Sequence, residues 1–135
     1  MFEHFLEAQE PVFEAALAEL AAGRKRSHWM WFVFPQIRGL GRSPIAERFA
    51  LRGRGEATDY LDHPVLGERL RSATQAVLRH RGKTAHDIFG SPDDLKFRSS
   101  MTLFAHAAQE EALFRDALTA FYAGIEDAET VRRLL

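Results

Sequence analysis

The chain has 135 residues and a mass of 15.3 kDa, is 46% hydrophobic and 27% charged, and carries a net charge of -1. These values predict a single globular domain and exclude global disorder. The absence of cysteine excludes disulfides, thiolate zinc sites, iron–sulfur clusters and a cysteine nucleophile.

Residues 3–9 predict a short helix with Phe2, Phe5 and Leu6 on one side. Pro11 is placed to open a second helix, because a proline's missing N–H is not needed at the first helical position. Val12, Phe13, Ala16, Leu17 and Leu20 follow at helical spacing, and Gly23 stops the element. The run WMWFVF at 29–34 is apolar throughout and ends at Pro35. Its aromatic and β-branched content favours a strand and its helical company favours a helix; periodicity does not separate the two in so short a run. Ser43 is read as an N-cap with Pro44 first in a helix. Gly53 and Gly55 bracket the following break, and Ala57–Leu61 make another short helix. Pro64 opens a longer one through Leu66, Leu70, Ala73 and Val77, closed by Gly82. Ala85–Phe89 form a turn or short helix closed by Gly90. Ser91 then caps, Pro92 sits first, and Asp93 and Asp94 favour the positive end of the helix dipole, with Phe97, Met101, Phe104 and Ala108 as one apolar line. A helix near 110–123 buries Leu113, Phe114, Ala117, Leu118 and Phe121, and 127–135 make a terminal one. The expected fold is all-α: one multihelical domain over 1–135, with about three longer helices, several short ones and an optional extended segment near 29–34.

No run approaches the roughly 18 apolar residues of a membrane-crossing helix, and the acidic start MFEHFLEAQE lacks a secretory signal's basic region. Cytoplasmic residence is the default expectation, with no membrane partner. A pI near 6.6 argues against general nucleic-acid binding. The charges are nonetheless segregated. Residues 1–23 carry five acids and no Lys or Arg, whereas 24–54 carry eight Lys or Arg against Glu47 alone.

That basic stretch holds the first candidate site, for a small anion. It combines Lys25, Arg26 and His28 with Gly41, Arg42 and Ser43. Glycines let backbone N–H groups approach a ligand, Arg42 offers a bidentate charge and Ser43 a hydroxyl. Trp29 or Trp31 would supply a stacking face and Gln36 an amide. The plainer alternative is a capped loop with a solvated arginine, the basic stretch pairing with the acidic N-terminal helix. The loop is neither a Walker A sequence nor a full dinucleotide fingerprint. A second candidate, Lys96 with Ser99 and Ser100, shares one helix side. An exposed Lys96 beside Asp93 would stay charged, however, and no G-x-S-x-G elbow is present. Asp93 and Asp94 read as helix-start acids whose carboxyls diverge. The six histidines form no H-x-x-x-H or H-E-x-x-H pattern, so neither metal nor cofactor is expected. His63 reads as a cap or turn residue, and His28 as a partly buried neighbour of the aromatic run.

Three stretches, GRKRSHWMWFVFPQIRGLGRS at 23–43, YLDHPVLGERL at 60–70 and IFGSPDDLKFRSSMTLF at 88–104, join EAQEPVF at 7–13 in a wider pattern. Together they resemble the bacterial family catalogued as domain of unknown function 1810, whose members genome annotations often label calpastatin. The resemblance spans nearly the whole chain. It implies a multihelical fold and brings no assigned activity, so no catalytic residue is carried over. Calpastatin itself is a disordered repeat protein, and this chain has neither the repeats nor the composition for disorder.

The functional expectation is a small-molecule binding domain for a phosphorylated or nucleotide-like anion, with a non-catalytic protein–protein interaction module as the alternative. The first requires a concave site lined by Arg42, Lys25 or Arg26 with aromatic walls. The second requires a flat or convex apolar patch rimmed by charge. No residue pattern identifies a reaction.

Overall fold

The computed structural model describes all residues, Met1–Leu135, and contains ten helices. They are α1 (Glu3–Gln9), α2 (Phe13–Ala21), α3 (Met30–Val33), α4 (Pro44–Arg48), α5 (Arg54–Asp62), α6 (Leu66–Leu78), α7 (Ala85–Phe89), α8 (Asp93–Ala107), α9 (Ala112–Tyr122) and α10 (Ala128–Leu134). The all-α expectation holds.

Helix α8 is the axis of the fold. Phe97 and every residue from Ser99 to Ala105 are buried, so this half of the helix is covered on all sides, its small polar residues Ser99, Ser100 and Thr102 included. Helices α5, α7, α9 and α10 pack around it, while α6 lies against α2, α5 and α9. Buried apolar residues from α1 through α9 form one continuous core. Aromatic rings dominate two parts of it. Phe34 meets Phe97 edge-on at 4.9 Å and Phe89 stacks on Phe97 at 4.7 Å; near the N-terminus Phe5 meets Tyr60 edge-on at 5.1 Å. Such geometries add about 1 kcal/mol each beyond area burial.

One polar knot crosses this core. The Gln9 amide donates to the Phe32 carbonyl (2.6 Å) and to the Tyr60 hydroxyl (3.0 Å), joining α1, α3 and α5. Gln9 is 1% exposed and Tyr60 0%, and burial pushes the Tyr60 phenol far above its ordinary range. Where α5 hands over to α6, the chain needs a glycine: a Cβ on Gly67 would lie 2.0 Å from the Leu61 carbonyl oxygen. His63 caps this junction, its Nδ1 accepting from the backbone N–H groups of Val65 and Leu66 at 3.1 and 3.2 Å.

Several local expectations shift. The 29–34 run is one helical turn to Val33; Phe34 leaves the helical region (φ -124, ψ 77), as a residue before proline must. The only strand-like pairing is an isolated parallel bridge between Ile37 and Leu51, beyond that run. Pro11 and Pro64 do not open helices. Each lies in the turn before one, with Val12 and Val65 at the N-cap positions of α2 and α6. Helix α5 begins at Arg54, so Gly53 is its N-cap and Gly55 is inside its first turn. Ser91 does not cap α8: the Ser91–Pro92 peptide is cis and Pro92 itself holds the N-cap position. Leu113 and Phe121 are half-buried, while Phe114, Ala117 and Leu118 are fully buried. The stops at Gly23 (φ 76) and Gly90 (φ 72) stand, both in the left-handed region that glycine adopts freely.

Candidate functional site

The loop Arg38–Ala50 runs out from and back to the Ile37–Leu51 bridge, with Phe49 alone among its residues buried in the core. Arg38 N–H donates to Leu51 O (2.7 Å) and Leu51 N–H to Gln36 O (2.9 Å). Ile37 and Leu51 are 2% and 0% exposed, so apolar burial holds this neck. Within the loop α4 starts as the sequence predicts, Ser43 Oγ accepting from Ala46 N–H at 3.2 Å with Pro44 first in the helix.

The neck sets two arginines beside each other. Arg38 follows Ile37, Arg52 follows Leu51, and both line one cavity of about 490 Å³ with Arg42, Gly39 and Gly41. Glu47 is the sole acid on its wall and Ala50 the sole apolar residue. The protein's Lys and Arg ion pairs involve Lys25, Arg69, Arg71, Lys96, Arg115, Arg132 and Arg133. Arg38, Arg42 and Arg52 are therefore three exposed guanidinium groups around one concavity with no carboxylate partner within ion-pair distance. Gly39 (φ 98) is needed here for its left-handed backbone, and the Arg133 guanidinium of α10 lies over its Cα, 2.2 Å from where a Cβ would stand.

A second cavity, of about 280 Å³, lies on the other side of the same loop. Trp31, Gln36, Leu40, Ser43, Leu95 and Lys96 line it, and Gly41 lines both cavities. Lys96 Nζ sits 5.0 Å from the Trp31 ring centroid and 3.4 Å from Asp93.

The remaining expected site residues are elsewhere; neither cavity is lined by Lys25, Arg26, His28 or Trp29. Lys25 is consumed by an ion pair with Asp93 at 2.8 Å, its side chain 8% exposed, and lies 5.0 Å from the Trp29 ring. Trp29 is 1% exposed and offers no stacking face. Its indole N–H donates to Glu19 Oε1 at 2.9 Å. The same carboxylate accepts from Arg26 N–H (2.8 Å), Ser27 N–H (3.0 Å) and Ser27 Oγ–H (2.6 Å). Burial alone would raise the pKa of Glu19, but these hydrogen bonds outweigh it and hold the carboxyl down to about 2. His28 is exposed rather than partly buried. The basic stretch thus meets the acidic α2 through backbone N–H groups and an indole, not through charge pairs.

The other candidates resolve into structural roles. Ser99 Oγ donates to Leu95 O at 3.1 Å, and Lys96 is half-buried between Asp93 and Trp31, not exposed. The carboxylates of Asp93 and Asp94 diverge, Asp93 to the two lysines and Asp94 towards His86 at 3.5 Å. No three His, Cys, Asp or Glu side chains converge as metal ligands. No helix is long and apolar enough to cross a membrane.

Sequence reasoning missed Arg38 and Arg52 as site residues, because the bridge that joins them is a tertiary contact. Their presence in the basic stretch was visible; their adjacency was not.

The family described as "Protein of unknown function (DUF1810)" matches residues 1–134. A search of curated proteins gave no match. Among solved structures, the chain is similar to the conserved hypothetical protein Rv1873 from Mycobacterium tuberculosis. The two are 50% identical with a TM-score of 0.96, over 98% of this chain and 94% of that one.

Proposed function

We propose that this chain, which belongs to the DUF1810 family, binds a small phosphorylated or nucleotide-like anion in the cavity formed by Arg38, Arg42 and Arg52. One observation carries the reading. The Ile37–Leu51 neck brings Arg38 and Arg52 to one cavity wall, and neither guanidinium has a carboxylate within ion-pair distance, although Glu47 lines the same cavity and Glu56 accepts from the Arg52 backbone N–H at 3.3 Å. Like charges set opposite one another across paired backbone destabilise a fold, so a fold that keeps them is served by an outside counter-charge. Guanidinium forks match phosphate oxygens in bidentate geometry, which fits a phosphorylated ligand better than a simple halide. Gly39 and Gly41 keep that wall free of side chains. The cysteine-free composition fits action in the cytoplasm.

The alternative of a protein-interaction module asks for a contiguous apolar patch. The large exposed apolar side chains within the fold are only four, Ile45, Val65, Leu95 and Ile125, too few for an extended apolar face. The cavity is therefore the better-supported feature.

The test is calorimetric titration with inorganic pyrophosphate, backed by thermal unfolding. A ligand at a hundred times its dissociation constant adds about 2.7 kcal/mol, on the order of 10 °C for a chain of this size. Replacing one guanidinium, as in Arg42→Ala, removes charge-assisted bonds worth about 1.5–3 kcal/mol and weakens binding by roughly tenfold or more. Arg26→Ala, whose side chain is outside the cavity, leaves affinity unchanged. Absence of binding at millimolar pyrophosphate, or equal losses in both variants, would refute the assignment.

A further inference from the structure

The arginine cavity has no aromatic side chain and a single apolar lining residue, so it can grip an anionic group but offers nothing to an organic ring. The adjoining cavity has the opposite character. The partly exposed Trp31 indole, Leu40 and the largely exposed Leu95 give it apolar walls, Gln36 and Lys96 supply a carboxamide and an ammonium, and Asp127 and Glu129 add two acids to its lining. Consecutive loop residues alternate between the two: Gly39 and Arg42 face the arginines, while Leu40 and Ser43 face Trp31. Gly41 belongs to both walls. A Cβ there would come within 2.5 Å of the Ala46 Cβ, so the loop is pressed directly against α4. The two cavities thus adjoin at a single residue of the loop, Gly41.

We infer that the two cavities form one bipartite site for a nucleoside diphosphate, with the phosphates against Arg38, Arg42 and Arg52 and the base against Trp31. This deepens the anion-binding reading and rests on it. The base gains a flat apolar contact surface at Trp31 and an amide at Gln36 able both to donate and to accept. Lys96, already over the indole, adds a cation beside the ring. The chemistry selects a planar heteroaromatic group joined to a diphosphate over a phosphorylated sugar alone, which would leave the Trp31 wall unused.

The test compares ADP, inorganic pyrophosphate and adenosine by calorimetry and by tryptophan fluorescence. Trp29 is 1% exposed and locked to Glu19, so quenching on binding reports Trp31. The expected result is ADP binding at least tenfold tighter than pyrophosphate, with quenching by ADP and none by pyrophosphate. Trp31→Phe keeps a ring and retains the ADP preference while the quenching disappears. Trp31→Leu and, independently, Gln36→Ala shrink the preference without changing pyrophosphate affinity. If ADP and pyrophosphate bind equally well with no quenching, the bipartite site is overturned while the arginine site stands. If neither binds, the arginine site falls and the inference falls with it. Tight adenosine binding with no pyrophosphate binding would also overturn both.

Discussion

Replacing Glu19 with glutamine tests whether the α2–α3 connection is held by a carboxylate. Its two oxygens accept four hydrogen bonds from Arg26, Ser27 and Trp29. The carboxyl is lowered from an ordinary 4.5 to about 2. A group whose folded pKa lies below its unfolded value stabilises above the unfolded value and loses that contribution as pH falls. The gap corresponds to at most about 3 kcal/mol, fully present at neutral pH, of which about 2 kcal/mol is gone by about pH 3. Glu19→Gln keeps the shape but not the charge, and is expected to be about 2 kcal/mol less stable at neutral pH. The assay is urea unfolding followed by tryptophan emission, run on both proteins from about pH 7 to about pH 3. Other acids titrate equally in the two, so they cancel in the difference. The deficit of the variant should shrink steadily below about pH 4.5. A deficit that stays constant over this range, or no deficit at neutral pH, would refute the argument.

Two further substitutions probe the core. Gln9→Met leaves the buried Tyr60 hydroxyl with only the Phe32 carbonyl at 3.4 Å, and should cost about 2 kcal/mol in urea unfolding. Adding Tyr60→Phe should return part of that loss, because the pair shares one network; strict additivity would contradict the coupling. Ser100 is 0% exposed and its hydroxyl is a buried side-chain polar atom without a hydrogen-bond partner. Ser100→Ala removes that penalty and should raise stability by about 1 kcal/mol, read as a melting temperature about 4 °C higher. A lower melting temperature would mean that the hydroxyl has a partner.

What the sequence disclosed was local. Ser43, Gly23, Gly90 and the element α1 act through neighbours a few residues away, and each stands where the residue pattern puts it. The prolines were legible as helix-start markers; Pro44 stands in register, whereas Pro11 and Pro64 serve the preceding turn. The candidate site was half legible. Gly41, Arg42, Ser43 and Gln36 do line the two cavities. Lys25 and Trp29 carry the same chemistry on paper, yet Asp93 and Glu19 claim them. Glu19 looked like one more solvated acid on an amphipathic helix; only the return of the chain at 26–29 makes it a capping group. Arg38 and Arg52 became neighbours through a backbone bridge that no periodicity announces.

That bridge also decides how the loop behaves as a moving part. Arg38–Ala50 is a compact excursion whose ends meet at the bridge and whose Phe49 stays anchored in the core, 6% exposed. The bridge holds Arg38 and Arg52 on one wall, and repulsion between their guanidinium groups works against it. On the proposed anion-binding reading, the apparent dissociation constant is the intrinsic value divided by the fraction of molecules in which the bridge is formed. Ile37 and Leu51, two aliphatic side chains that line neither cavity, thereby become a dial for affinity. Trimming either would weaken binding, and amide exchange at Arg38 and Leu51 would speed up in step.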